Sequence, residues 1–182
     1  MSTTKWVIDP THSEIGFKIK HLMITNVSGK FDAFEAEVQT EGEDFATAQI
    51  EARIKTASIN TNNFQRDEHL RNSDFFEAET HPEIFFKSTG VEKTDEHNLV
   101  LHGDLSLKGT TKAVKLNVEF SGQTKDPWGG QRAGFIITGK INRNDFGLNF
   151  NAAFETGGLV LGEEVRINSE VQLIKQAASV AA

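Results

Sequence analysis

The chain has 182 residues, with 19 Lys or Arg against 26 Asp or Glu, a formal net charge of −7 and no cysteine. A composition 37% hydrophobic and 25% charged excludes a collagenous or wholly disordered chain. The acidic balance argues against nucleic acid or an anionic membrane held by bulk charge, and the lack of cysteine removes disulfides, thiolate nucleophiles and cysteine metal sites.

The opening MSTTKWVIDPTHSE lacks a basic start followed by an apolar stretch, so no secretory signal is read and a cytoplasmic setting is expected. No apolar run reaches the length of a membrane span. Period-two alternation then begins, the mark of a strand with one buried face. Ile15, Phe17 and Ile19 alternate with Glu14, Lys18 and Lys20. Phe34, Ala36 and Val38 alternate with Glu35, Glu37 and Gln39, and Ala48, Ile50, Ala52 and Ile54 with Gln49, Glu51, Arg53 and Lys55. The stretch Asn62 to Leu70 breaks this rhythm. A capping Asn62 with Gln65 three positions on predicts a short helix over about 62–71, with Phe64 and Leu70 turned inward. Ile84 to Ser88 reads as a strand apolar on both faces. Four further alternating stretches follow: Leu99 to Leu107, Val114 to Phe120, Ala133 to Ile141 and Val165 to Leu173.

Turns are expected at Ser28-Gly29, Glu41-Gly42, Asp95 to Asn98, Lys108-Gly109 and Asp126 to Gly130. About eight strands with turns between them suit an all-β antiparallel barrel or sandwich, and their length favours a tall barrel. A helix inserted in such a barrel closes one end. One domain is expected over 1–182, with its core at about 5–175 and a fraying tail from Gln176 to Ala182.

The chemical signals are sparse. Fourteen Phe, two Trp and no Tyr supply large apolar bodies that either pack a core or line a greasy cavity. His12, His21, His69, His81, His97 and His102 form no HExxH and no pair at helical spacing, so no metal site is assigned. Asp67 and His69 diverge by about 200° on a helix and make no base–orienter pair. No serine sits in a G-x-S-x-G elbow, and Gly129-Gly130 reads as a turn, so no catalytic residue and no cofactor is assigned. Arg66 and Arg143 each stand beside an acid and a Phe. They serve either as structural Arg–carboxylate pairs at a barrel rim or as a polar collar that recognises a head group.

Several ordered motifs coincide. They are Trp6-x-Ile8-Asp9-x-x-His12-Ser13, Phe17-x-Ile19-x-His21, Gly29-x-Phe31-x-x-Phe34 and Arg66-Asp67-x-His69-Leu70 with Asp74-Phe75-Phe76. Further on stand Gly103-x-Leu105-x-Leu107-x-Gly109, Asp126-Pro127-Trp128-Gly129 and Ile141-Asn142-Arg143-x-Asp145-Phe146-Gly147. Over about Lys5 to Lys175 the chain resembles the YceI-like family of polyisoprenoid-binding, lipocalin-like proteins. The resemblance implies an extended eight-stranded antiparallel barrel with a helical segment, an elongated apolar pocket and a homodimer. It also implies a non-enzymatic ligand class of isoprenoids, such as polyprenyl phosphates and prenylated quinones, or other long-chain lipids, for storage, transport or sequestration. Trp6 and Ala36, where many members carry Tyr and Gly, are expected at a strand surface or rim.

On that expectation Ile15, Phe17, Ile19, Phe34, Val38, Phe120 and Phe135 form the pocket wall. Phe64, Leu70, Phe75 and Phe76 contribute from the helix end, and Arg66, His69 and Arg143 orient a polar head. A packed barrel acting as an interaction or stress-associated module produces the same alternation, and an enzyme acting on a hydrophobic substrate is a third reading.

Overall fold

Alternating strands with one apolar face bury that face most completely by closing into a tube. The computed structural model describes residues 2–22, 24–150 and 161–177. It shows one antiparallel sheet of eleven segments. These are β1 (Thr3–Ile8), β2 (Glu14–His21), β3 (Thr25–Phe31), β4 (Phe34–Glu41), β5 (Asp44–Lys55) and β6 (Ile59–Asn60), then β7 (Glu83–Lys93), β8 (Asn98–Leu107), β9 (Thr110–Lys125), β10 (Gln131–Asn142) and β11 (Leu161–Lys175).

The first six segments are three bent strands. β1 runs into β2 through a 3-10 turn at Pro10–His12, β3 into β4 through Asp32-Ala33, and β5 into β6 through a 3-10 turn at Thr56–Ser58. β1 pairs with β4 while β2 pairs with β3, and β4 pairs with β5 while β3 pairs with β6. β11 closes the wall, pairing with β2 from Leu161 to Glu170 and with β1 from Leu173 to Lys175. The result is a closed eight-stranded antiparallel barrel.

α1 (Phe64–Arg71) lies between β6 and β7 and caps one end of the barrel. Its cap is Asn63, whose side chain accepts from Arg66 N at 2.9 Å, and not Asn62, which takes a left-handed φ of 61°. No helix among the described residues is long and apolar enough to cross a membrane. Lys108 and Gly109 join β8 to β9 with φ of 49° and 76°, as a two-residue type I′ hairpin requires.

Ser28-Gly29 is not a turn. Gly29 lies within β3 opposite Phe17, and a Cβ there would sit 2.4 Å from Phe17 Cζ, so the ring occupies the space that the glycine leaves. The chain reverses instead just after His21, where Leu22 has a φ of 54°. Just past β11, Gln176 N donates to Lys5 O at 2.8 Å, while 178–182 of the expected fraying tail lie outside the described residues.

Two apolar clusters are strung along the barrel. Phe31, Ile59, Phe75, Ile84, Leu107, Phe146 and Leu148 gather near the helix end. The other cluster includes Trp6, Phe45 and Phe135, which with Phe120 form an aromatic plug at the far end. Ring centroids there lie 4.8 Å apart for Phe45–Phe135, 5.0 Å for Trp6–Phe45 and 5.3 Å for Phe120–Phe135. Trp6 is therefore a fully buried core residue and not a rim residue, because the first strand points it inward opposite Val38.

The β1–β2 bend is clasped from outside. Arg132 donates from Nη1 to Asp9 Oδ2 at 2.6 Å and from Nε to Asp126 Oδ2 at 3.0 Å. Asp9 also accepts from Thr11 and bonds His12 Nδ1 at 2.7 Å. Burial pushes the Asp9 carboxyl up, but these hydrogen bonds outweigh it and hold the group well below the usual carboxylate range.

Candidate functional site: an apolar cavity with a polar end

The barrel is hollow. A cavity of about 540 Å3 runs between the aromatic plug and the helix end, walled by side chains from both clusters. Its size falls within the roughly 300–1,000 Å3 usual for small-molecule sites.

Of the residues expected on the wall, Ile15, Phe17, Ile19, Val38 and Phe135 line this cavity, as do Leu70, Phe75 and Phe76 at the helix end. Arg66, His69 and Arg143 line it too. Three expected residues lie elsewhere. Phe64 is 72% exposed, because its six-position spacing from Leu70 turns the two about 120° apart on the helix. Phe120 packs against Phe45 and Phe135 in the plug, where the β9–β10 register shifts at Gly134/Phe135. Phe34 stands at the β3–β4 bend and lines a separate hollow on the outer face.

Other lining residues were not singled out from sequence. Leu101 and Leu116 carried the signal in their alternation, and His21 continues the Phe17–Ile19 parity. Phe45 follows Glu43 and Asp44 at the start of β5 and stands on the opposite parity to Ala48, Ile50 and Ala52, so the alternation hid it. Ala36 also faces the cavity and is not at a rim.

The polar groups are concentrated at the helix end. Thr61, just past β6, is a hub: its backbone N–H and hydroxyl both donate to Asp67 Oδ1, at 2.9 and 2.6 Å. The same hydroxyl accepts from Arg66 Nε at 2.7 Å, and Arg66 Nη2 donates to Thr61 O at 2.7 Å. Arg66 and Asp67 are thus joined through Thr61 rather than as a direct pair. His69 Nε2 bonds Asp74 Oδ2 at 2.8 Å, with its ring edge-on to Phe75 and Phe150 at 5.0 and 4.9 Å.

Arg143 opens the 3-10 turn Arg143–Phe146, which Asn142 caps and Gly147 ends with a φ of 76°. It is buried, and its hydrogen bonds go to carbonyls: Nε to Gly162 O at 2.8 Å, Nη1 to Leu148 O at 2.5 Å and to Phe150 O at 2.8 Å. Among the described residues Nη2 has no acceptor. Burial lowers the guanidinium pKa from its ordinary value, with the charge of Glu163 opposing.

Acid–base chemistry gains no support from this arrangement. Asp67 is committed to Thr61 and His69 to Asp74, on different sides of α1. His12 sits on Asp9 outside the wall while His21 lines the cavity, so those two do not meet. Among the described residues no three His, Cys, Asp or Glu side chains gather as a metal site.

The closed meander, the plug and the polar-ended apolar hollow define a lipocalin-like barrel. The chain belongs to the YceI-like domain family, whose model matches residues 6–173. It is 42% identical over 170 residues to a UPF0312 protein of Staphylococcus aureus strain N315, covering 93% of this chain and 96% of that protein. It is similar to the Campylobacter jejuni YceI protein at 34% identity and a TM-score of 0.76, over 93% of this chain and 96% of that one. A polyisoprenoid-binding domain from Saccharophagus degradans shares the fold, at 16% identity and a TM-score of 0.62 over 95% and 98% of the two chains.

Proposed function

We propose that this protein binds a long-chain amphiphile, most readily an isoprenoid such as a polyprenyl phosphate or a prenylated quinone, without catalysing a reaction on it. The observation that carries the reading is a 540 Å3 apolar cavity with Arg66, His69 and Arg143 at one end. The tail supplies the strength. Each buried methylene contributes about 0.8 kcal/mol, so roughly ten carbons supply about 8 kcal/mol before association costs. Arg143 Nη2 and Arg66 supply selectivity by donating charge-assisted hydrogen bonds to a phosphate or carbonyl oxygen. The family membership and the polyisoprenoid-binding domain that shares the fold support the ligand class. The hollow interior favours this reading over a packed barrel serving only as an interaction module.

The test is calorimetric titration of delipidated protein with farnesyl phosphate, geranylgeranyl phosphate and the matching alcohols. Saturable one-to-one binding is expected. It should weaken by about tenfold or more, some 1.4 kcal/mol, in Ala52→Phe, which fills the cavity from the β5 wall. Absence of saturable binding, or binding indifferent to Ala52→Phe, would overturn the reading.

A further inference from the structure

The barrel wall is interrupted beside the plug. Pairing of β1 with β4 ends at Val7↔Glu37, and pairing of β2 with β3 begins only at Ile15↔Phe31. Between these points the two edges turn away from each other. Asp9 N donates to Gln172 O at 2.9 Å, and Gln172 N donates to Ser13 Oγ at 2.9 Å, so the bend after β1 is tied to β11. On the other side Asp32 N donates to Ser58 O at 3.0 Å, and Ala33 O accepts from Lys55 N at 2.9 Å. No ladder spans the gap in this register.

A second hollow of about 280 Å3 lies on the outer face at this seam, with Val7, Pro10 and Phe34 in its lining. Ile8 and Ala36 line both this hollow and the inner cavity. Ile8 and Ala36, the second with only a methyl side chain, therefore border both hollows. Their axial position matters. Trp6 pairs with Val38 in the plug, and Ile8 and Ala36 are the next inward-facing residues towards the helix end. A chain descending from the polar end meets the plug at the level of the seam.

The cavity of about 540 Å3 is closed at one end by the plug and so takes a prenyl chain of finite length. A longer tail must leave the cavity, and the aromatic plug bars the far end. We propose that the seam at Ile8, Phe34 and Ala36 is a side port through which the distal end of a long prenyl or acyl chain passes into the outer hollow and lies across Val7, Pro10 and Phe34. This inference rests on the lipid-binding reading above. The charges at the outer hollow agree with a tail end rather than an anionic head: Glu35, Glu37 and Glu51 outnumber Arg53, whose guanidinium already stacks on Phe85 at 5.2 Å. The port makes the protein tolerant of chain length, because carbons beyond the cavity's capacity still lie against Val7, Pro10 and Phe34.

The test uses two prenyl phosphates carrying a fluorophore at the distal end, one a short geranyl chain and one a much longer polyprenyl chain. Iodide should quench the label of the bound long chain and spare that of the short one. Val7→Lys, which puts a charge in the outer hollow without touching the inner cavity, should weaken the long chain by about tenfold while changing the short one by less than about twofold. The port is overturned if both chains bind with their labels equally protected, or if Val7→Lys affects both alike. If neither chain binds, the lipid-binding reading fails and the port with it.

Discussion

Trp6 Nε1 donates to Thr40 Oγ1 at 3.1 Å, with Trp6 fully buried and Thr40 nearly so, and the same hydroxyl donates onward to Gly42 O at 2.8 Å. This short chain fixes the indole that seals the plug to the turn between β4 and β5. Replacing Thr40 by Val keeps the shape and strands the indole N–H. The expected loss is about 1–3 kcal/mol of stability, seen as a lower urea midpoint with an unchanged slope. Trp6→Ala should cost more, about 3–5 kcal/mol, because it opens a cavity among three Phe rings.

The clasp at the first bend predicts acid sensitivity. Asp9 and Asp126 both titrate below their ordinary value of about 3.9 in the folded protein. Their contribution is complete above that value and is lost as the pH falls through the folded pKa, because protonation breaks the bonds to Arg132. Urea midpoints should fall progressively below about pH 4. Asp9→Asn should be less stable at neutral pH, seen as a lower urea midpoint, because Arg132 then keeps Asp126 as its one carboxylate partner. That variant should also lose less further stability on acidification than the parent.

Arg143 holds three carbonyls with one planar group, a geometry that an ammonium cannot reproduce. Arg143→Lys should keep the charge yet release the chain after β10. Hydrogen exchange at the Gly147 and Leu148 amides, which donate to Asn144 and Arg143 carbonyls, is expected to quicken. Unchanged protection there would show that the turn holds itself.

Arg66 should act on head-group choice more than on tail affinity. Arg66→Ala is expected to erase most of the preference for a prenyl phosphate over the matching alcohol, while affinity for the alcohol shifts by less than about threefold, within about 0.7 kcal/mol. An intact phosphate preference in this variant would remove Arg66 from the collar and leave Arg143 to carry it.

Much of the wall was legible before any coordinates, because alternation reports directly which side chains face inward. Ile15, Phe17, Ile19, Val38 and Phe135 were found that way. The misses have separate causes. Gly29 looks like a turn residue in sequence but serves as the floor for the Phe17 ring, a cross-strand relation with no local signature. Phe64 was misplaced because the cap fell one residue later and the six-residue spacing to Leu70 does not return to the same helix face. Phe34 and Phe120 kept the right parity but sit at a bend and at a register shift, where parity stops predicting depth. Whether the barrel was hollow or packed depended on how far Phe rings reach across the axis, which no period-two pattern encodes.

What the cavity holds in the native protein decides between a lipid-binding barrel and an empty one. Protein purified without detergent, then weighed intact by native mass spectrometry and extracted with solvent, should carry one long-chain amphiphile per barrel, with an isoprenoid the leading component of the extract. A barrel that weighs as bare polypeptide, and that still refuses added prenyl phosphate, would contradict the lipid-binding reading.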